Sequence, residues 1–234
     1  MKKIPTIILL LFVSVFLKAQ TLEEIVKKYS SAIKADRLSS VSTVRITGKT
    51  SAMGMEMPLT MIMKNPNKVK VVNKFNGREI ISVFDGVKGY SINPMTGSSK
   101  PVELKDYQLK QVQNSNIFSN ELMRYYQNGK LTLEGEENVN GKAAYKLKAE
   151  IEGGNPVFLY LDKNSCLLLK TSTSVTQMGT PIRMESYMSD YTETDGVVMP
   201  MKTLAKANGM DAAVITFDKV EVDIPVDDNA FSIR

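Results

Sequence analysis

The chain of 234 residues contains no histidine, no tryptophan and a single cysteine. Without histidine, the Ser-His and Cys-His pairs that activate many nucleophiles are excluded, as are the usual zinc sites. One cysteine cannot form an intramolecular disulfide, so the stability must come from the core. The Cys-Leu-Leu-Leu context of Cys166 favours an inert, buried thiol. The sequence therefore argues against an enzyme and predicts no catalytic residue, metal or cofactor.

Two short fragments resemble catalytic motifs but lack their partners. Ser31 and Lys34 match the Ser-x-x-Lys of acyl-serine enzymes, yet the companion Ser-Asp-Asn and Lys-Thr-Gly motifs are missing. The Gly-Lys-Thr at residues 48–50 resembles the end of a phosphate loop, but Thr43 stands where the first glycine is required. We interpret both fragments as chance matches, which leaves an enzyme acting on envelope lipids as a minor alternative.

Long runs of basic charge are absent as well. No block of Lys or Arg exceeds a pair, so nucleic acid is not a predicted partner. Residues 1–19 have the form of a secretory signal peptide, with Lys2 and Lys3 before a short apolar run and Ala19 at the cleavage position. That run is shorter than the roughly 20 residues of a membrane span. We expect one exported domain, residues 20–234, monomeric in the periplasm of a Gram-negative cell, with a net charge of about +2.

The pattern of the mature chain predicts one helix followed by many short strands. Thr21 and Glu24 form a capping box that opens an amphipathic helix to about Ala35. From residue 41 onward apolar residues alternate, and tight-turn dipeptides separate the runs. These dipeptides are Asn76-Gly77, Asp85-Gly86, Asn140-Gly141, Asp195-Gly196 and Asn208-Gly209. A second short helix is predicted over residues 118–126.

A long antiparallel sheet must curl or close to protect its edges. The predicted fold class is therefore mainly β (α+β): a curved antiparallel sheet forming an unclosed half-barrel of about 11 strands. Two helices would cover an apolar cavity on one face of this sheet.

The feature most informative about function is a row of flexible apolar side chains. Every second residue from 53 to 63 belongs to it: Met53, Met55, Met57, Leu59, Met61 and Met63. Alternation places them on one face of a strand. Methionine adapts to irregular shapes, whereas a rigid core more commonly uses Val, Ile and Leu. A hairpin turn at Gly54 would leave Met53 and Met55 in a loop, so the ligand-facing row is taken to begin at Met57.

The candidate ligand-binding residues follow from the same parity. On the strands they are Met57, Leu59, Met61, Met63, Val69 and Val71; on the first helix Ile25, Tyr29 and Ile33; on the second Leu122 and Met123. We expect the helix residues to face the strand residues across the cavity. For each residue taken singly, ordinary core packing is the competing interpretation.

Five segments resemble known carriers in order and spacing. They are KNPNK at residues 64–68, FDGVKGYSINPMTG at 84–97, LYLDK at 159–163, DGVVMP at 195–200 and DNAF at 228–231. Together they resemble the LolA-like periplasmic lipoprotein carriers, and most of all the outer-membrane lipoprotein-sorting proteins of Bacteroidetes. The resemblance covers essentially the whole mature chain. It implies an unclosed antiparallel barrel whose helices cover a cavity for the acyl chains of lipoproteins or lipids.

The resemblance also implies transfer proteins of the inner and outer membranes as partners. One position departs from it: Asn65 stands where the proteobacterial carriers have an arginine that latches the helical lid. An amide lacks the charge and the fork of a guanidinium, so the resemblance does not extend to this latch. The alternative function is a periplasmic lipid-sensing or protein-interaction regulator with the same fold. Such regulators usually carry a second domain, for which this chain has no room.

Overall fold

A computed structural model describes residues 20–96, 98–118, 120–177 and 179–232. The predicted signal peptide, residues 1–19, lies outside the described residues. Within them the α-helices are α1 (Leu22–Ala32), α2 (Ala35–Ser40), α3 (Asp106–Gln113) and α4 (Glu121–Gln127). The strands are β1 (Thr43–Ala52), β2 (Met55–Lys64), β3 (Lys68–Phe75), β4 (Arg78–Phe84), β5 (Gly89–Asn93), β6 (Ser98–Glu103), β7 (Leu131–Val139), β8 (Lys142–Ala149), β9 (Val157–Asp162), β10 (Leu168–Gln177), β11 (Thr180–Thr194), β12 (Val197–Ala207) and β13 (Met210–Val222).

These strands form one antiparallel sheet in the order β6-β5-β4-β3-β2-β1-β13-β12-β11-β10-β9-β8-β7. In the described part of the chain the two edge strands, β6 and β7, do not pair with each other, so the sheet is not closed. This confirms the predicted half-barrel, with thirteen described strands where about eleven were expected. The edge strand β6 contains Pro101, and an edge position tolerates a residue that cannot donate to a ladder.

The predicted Asn-Gly and Asp-Gly turns close hairpins as expected. Both residues have positive φ at Asn76-Gly77, Asn140-Gly141, Asp195-Gly196 and Asn208-Gly209, as a type I′ turn requires. Met53 and Gly54 close the β1–β2 hairpin in the same way, with φ values of 52° and 74°. Met53 is accordingly 92% exposed, and the ligand-facing row cannot include it.

The centre of the sheet bends at Gly48. The register between β1 and β13 shifts between Thr47 and Gly48, which marks a bulge. A Cβ atom at Gly48 would lie 2.1 Å from the Thr216 carbonyl oxygen, so only glycine permits this approach of the two backbones. Because bulges and glycines increase local curvature, this position helps the sheet to curl around its helices.

The helices agree with the sequence prediction in part. The capping box of Thr21 and Glu24 is present, and α4 overlaps the helix predicted over residues 118–126. However, the first helix ends at Ala32, and the left-handed Lys34 (φ 52°) starts the separate helix α2. Helix α3 was not predicted, because Leu109 and Val112 are its main apolar residues and it has no side-chain N-cap. The described residues therefore contain four α-helices where two were expected.

Two clusters of buried side chains lie between the helices and the sheet. The first concave cluster contains Leu38, Val41, Val44, Ile46, Met63, Val69, Phe84, Leu104, Val112, Phe118, Val197, Met199 and Val220. The second concave cluster contains Ile25, Val26, Leu122, Leu131, Tyr145, Leu147, Ala149, Leu159 and Leu161. Directly opposed residues connect the two clusters across one face of the sheet, from Ala205 through Ser186 and Thr171 to Leu159. This helix-covered face is the concave face.

The opposite, convex face carries a smaller group of aromatic and aliphatic side chains. Val139, Ala144 and Tyr160 are buried there, with Phe158, Leu169 and Tyr187 packed against them. Along β8 and β9 these residues alternate with members of the second concave cluster, as period-two strands require. The convex face is therefore not uniformly polar.

The single cysteine is buried as predicted. Cys166 is 4% exposed, and burial raises the pKa of its thiol, which reduces the thiolate fraction that could react. It lies in the turn between β9 and β10 with a φ of 58°, not within a strand.

Candidate ligand-binding site

The register of β2 and β3 confirms that the predicted strand residues share one face. Met61 lies directly opposite Val71, and Met63 lies opposite Val69. On the other side of β2, Met61 pairs with Ile46 of β1. Because directly opposed residues point to the same side of a sheet, the methionine row faces the helices.

Burial divides this row into two parts. Met63 and Val69 are fully buried, and Leu59 is 5% exposed, so these three side chains are packed core. Met57, Met61 and Val71 are half-buried. Since a ligand can contact only surface that the protein has not already covered, the half-buried residues are the accessible part of the row.

The predicted helix residues lie elsewhere. Ile25 and Leu122 belong to the second concave cluster, and Tyr29 and Met123 pack against it; Ile33 is also buried. That cluster covers β7, β8 and β9, at the far end of the sheet from β2 and β3. The structure thus brings the predicted residues together as two groups, and not as one face-to-face set across a single cavity.

Other residues face the methionine row instead. Leu109 of α3, Ile117, Met201 of β12 and Phe217 of β13 are partly buried against the first concave cluster, as are Met61 and Val71. Met199 of β12 belongs to the cluster itself. These residues are not among the predicted ones, although the Met199-Pro200-Met201 alternation repeats the pattern of Met57-Pro58-Leu59.

Methionines therefore stand on both walls of the concave face. Strands β2 and β12 are separated by β1 and β13, which places them about 14 Å apart at the usual strand spacing. Met61 of β2 and Met201 of β12 both pack against the first concave cluster. Unbranched thioether side chains can repack with little penalty, so this surface can change shape while remaining apolar.

Tyr29 and Tyr191, two tyrosines near the second concave cluster, have raised pKa values and are neutral. Burial raises the pKa of Tyr29 to about 12. Burial, with a smaller contribution from Tyr29, also raises the pKa of Tyr191 well above its usual range. The Tyr191 hydroxyl donates a hydrogen bond to the Leu168 carbonyl oxygen at 2.8 Å. No ionised phenol therefore opposes an apolar ligand at these two positions.

Asn65 connects the end of helix α2 to the sheet through neutral hydrogen bonds. Its side-chain amide Nδ2 donates to the Ser39 carbonyl at 2.9 Å and to the Val41 carbonyl at 2.8 Å. Its backbone N–H donates to the Ser42 carbonyl at 2.9 Å. Because the last carbonyls of a helix lack internal partners, Asn65 ties the C-terminal end of α2 to the β2–β3 turn.

A guanidinium does hold α2 to the sheet, but it belongs to the helix. Arg37 Nε donates to the Asp195 carbonyl at 3.0 Å, and its Nη2 lies 2.9 Å from Asp223 Oδ2. Asp223 Oδ1 also accepts from the Ser42 backbone N–H at 2.8 Å. The Ser42 hydrogen bond and then the Arg37 hydrogen bond lower the pKa of Asp223. Arg37 thus ties α2 to the β11–β12 turn and to Asp223, which follows β13.

Two further observations concern other kinds of site. Within the part of the chain that the structure describes, no three His, Cys, Asp or Glu side chains group so as to hold a metal ion. None of the helices formed by residues 20–96, 98–118, 120–177 and 179–232 has the length and hydropathy that a membrane crossing requires.

No protein-family model and no curated protein sequence matches this chain. Solved structures, however, match nearly all of it. A DUF1329 family protein from Desulfovibrio piger has a TM-score of 0.62 at 13% identity, over 89% of this chain and 97% of that one. An outer membrane lipoprotein-sorting protein domain from Vibrio parahaemolyticus has a TM-score of 0.60 at 11% identity, over 90% and 97%.

A LolA superfamily protein from Nitrosomonas europaea is similar over 92% of this chain and 99% of that one, with a TM-score of 0.58 and 15% identity. At such low identity these likenesses establish the fold alone. The unclosed antiparallel sheet with helices on its concave face, together with these three structures, shows that the chain has the LolA-like fold.

Proposed function

We propose that the protein is a periplasmic carrier that holds the acyl chains of lipoproteins or lipids on its concave face during transport towards the outer membrane. The observation that carries this proposal is the half-buried methionine surface of Met57, Met61 and Met201 on the concave face of a LolA-like half-barrel. Met61 and Met201 pack against the cluster to which α2 and α3 contribute. The proposal includes cleavage of residues 1–19 as a signal peptide, a single domain over residues 20–234, and the Bacteroidetes-type sorting group suggested by the sequence segments.

The energetics of such a surface suit reversible carriage. Each buried methylene contributes roughly 0.8 kcal/mol, so an acyl chain of about 16 carbons gains on the order of 10 kcal/mol. A membrane offers about the same per methylene. Transfer between membrane and protein is therefore near balance, and transfer proteins in the inner and outer membranes would set its direction.

The placement of the candidate residues refines their roles within this proposal. Met57, Met61 and Val71 would contact the chain directly, together with Met201 and Phe217. The fully buried Met63 and Val69 would support that surface from beneath. Ile25, Leu122 and their neighbours Tyr29, Ile33 and Met123 would contact ligand only where α1 and α4 move away from the sheet.

The testing experiment is native mass spectrometry of the mature protein purified from its own host, followed by lipid extraction. Acylated cargo at a stoichiometry near one is the expected result. A mass without cargo, combined with no uptake of a fluorescent acyl probe, would contradict the carrier proposal and favour a protein-binding regulator.

A matched pair of variants assigns any uptake to the concave face. Met61→Asp places a charge on the half-buried row and is expected to abolish probe uptake, since an unpaired carboxylate is costly in an apolar site. Ile62→Asp is the control, because Ile62 is next along the strand, also half-buried, and on the opposite face between Arg45 and Lys70. Both variants must show the wild-type circular dichroism. Equal uptake by the two would remove Met61 from the site.

A further inference from the structure

The convex face of β8–β11 carries a row of alternating lysines and tyrosines. Lys146 lies directly opposite Tyr160, Tyr160 opposite Lys170, and Lys170 opposite Tyr187. The Lys170 ammonium lies 4.6 Å from the Tyr160 ring centre and 5.4 Å from that of Tyr187. The Lys146 ammonium lies 5.8 Å from the Tyr160 ring and 5.4 Å from the Phe158 ring. Four strands thus combine to stack cations against aromatic faces.

Beside this row lies a buried ion pair with an excess of positive charge. The Lys170 and Glu185 side chains are each 8% exposed, and Lys170 Nζ lies 3.0 Å from Glu185 Oε1. Arg183 Nη2 lies 2.8 Å from the same Glu185 oxygen. Two cations therefore share one carboxylate. Since a buried ion pair is often no more stabilising than apolar packing, stability alone does not account for this arrangement.

All three groups of this cluster are charged. Burial is the largest single influence on Lys170 and lowers its pKa. The hydrogen bond to Glu185, together with the electrostatic contributions of Tyr187, Glu185 and Tyr160, outweighs burial and leaves that pKa above its usual value. Burial raises the pKa of Glu185, but Lys170 and then Arg183 outweigh it, so that pKa lies below its usual value.

A pocket of about 250 Å³ opens next to the ion pair. Its apolar wall is formed by Phe158 and Tyr160, and the only charged side chains that line it are Lys146 and Arg183, both cations of described residues. Ser172 and Ser174 add hydroxyls, and Ser172 Oγ accepts from Arg183 Nε at 3.4 Å. Arg183 remains 56% exposed, so its guanidinium is accessible to a ligand in the pocket.

We infer that this convex pocket binds a phosphate group whose neighbouring portion contacts the rings of Phe158 and Tyr160. A guanidinium fork, an ammonium and hydroxyls are the donors that phosphate recognition uses. The absence of an acidic side chain among the described lining residues fits a dianion. The volume of about 250 Å³ is just below the roughly 300–1,000 Å³ of typical ligand pockets. It therefore favours a small phosphorylated group: the head of a lipid or a free phosphate ester.

This site is independent of the acyl-binding proposal. Lys146, Tyr160, Lys170 and Tyr187 alternate along their strands with the concave residues, so the sheet itself separates the two sites. An experiment that disproves ligand binding at one site therefore does not disprove binding at the other.

The test is isothermal titration of the mature protein with inorganic phosphate and with glycerol 3-phosphate, at low and at physiological salt. A parallel arm measures sedimentation with vesicles of phosphatidylcholine alone or with about 20% phosphatidylglycerol. Saturable binding of the soluble esters would identify a free phosphate ester as the source. Binding only to the phosphatidylglycerol vesicles would identify a lipid head group. No saturable binding in either arm would overturn the inference.

Variants that remove one positive charge each then test whether any phosphate binding occurs in this pocket. Arg183→Gln and Lys146→Gln are each expected to weaken it at least tenfold. Lys206→Gln is the matched control: Lys206 has an ion pair of the same length as Lys146 (3.0 Å), a similar exposure (28% against 31%) and the same 5.8 Å distance to a tyrosine ring, but does not line the pocket.

Binding that is unchanged in Lys146→Gln, or equally weakened in Lys206→Gln, would show general attraction to a basic surface and overturn the site. Because Arg183 also contacts Glu185, a loss of folding in Arg183→Gln leaves the decision to Lys146→Gln, whose partner Glu137 is exposed.

Discussion

The two faces of the same sheet differ in how firmly their side chains are held in place. The concave face uses unbranched apolar side chains such as Met57, Met61 and Met201, which can rearrange at little cost. The convex face over β8–β11 uses Lys170, Glu185 and two tyrosines fixed by charge and ring geometry. An adaptable surface suits a ligand of variable shape, whereas a pre-positioned polar surface suits one defined group. The contrast predicts that mutations on the two faces differ in kind.

The largest effect on stability is expected from removing the convex carboxylate. In Glu185→Ala, Lys170 remains buried without its carboxylate, and breaking a buried pair costs about 3 kcal/mol in the free energy of unfolding. Urea denaturation measures this. The double variant Lys170→Met with Glu185→Leu should recover most of the loss, because neither charge then remains. A loss below about 1 kcal/mol for Glu185→Ala would show that the cluster is not rigid.

A comparable but purely apolar effect is expected within the concave face. Met63→Ala removes a fully buried side chain and should lower the free energy of unfolding by about 3 kcal/mol. Met61→Ala, two residues along the same strand and half-buried, should cost about 1 kcal/mol but weaken acyl-probe binding more than Met63→Leu does. An equal loss of unfolding free energy in Met63→Ala and Met61→Ala would show that Met61 is packed core like Met63, and not part of an accessible row.

The smallest effect concerns the charged contact that fixes α2. Because folding lowers the pKa of Asp223, its carboxylate stabilises the folded state above the unfolded pKa near 3.8, and this contribution is lost as pH falls through the lower folded value. Asp223→Asn should therefore flatten the stability profile below about pH 5, and cost at most about 1 kcal/mol at neutral pH. Asp218→Asn, an exposed neighbour on β13, is the control. An unchanged profile in Asp223→Asn would contradict this assignment.

Local signals in the sequence were sufficient for the half-barrel. The capping box at Thr21, the Asn-Gly hairpins and the alternation of Met57 to Met63 depend on neighbours in the chain, and each is present in the structure. Helix α3 is not predicted because its aliphatic residues, Leu109 and Val112, form too weak a periodic signal.

Features that depend on distant parts of the chain were not predictable. Alternation places Met61 and Met63 on one face, but only the packing of α2 and α3 decides that Met63 is covered and Met61 is accessible. Likewise the lysine–tyrosine row arises from the register of four strands, and no local run of sequence contains it. Ile25 and Tyr29 were expected opposite β2, yet the helix that carries them packs at the other end of the sheet.

The most direct test of acyl binding on the concave face is photo-crosslinking of a fatty-acid probe, followed by peptide mapping. We predict crosslinks to β2 peptides containing Met57 and Met61 and to β12 peptides containing Met201. Crosslinks confined to the convex strands, or an absence of crosslinks from β2 and β12 despite stoichiometric probe uptake, would contradict this prediction.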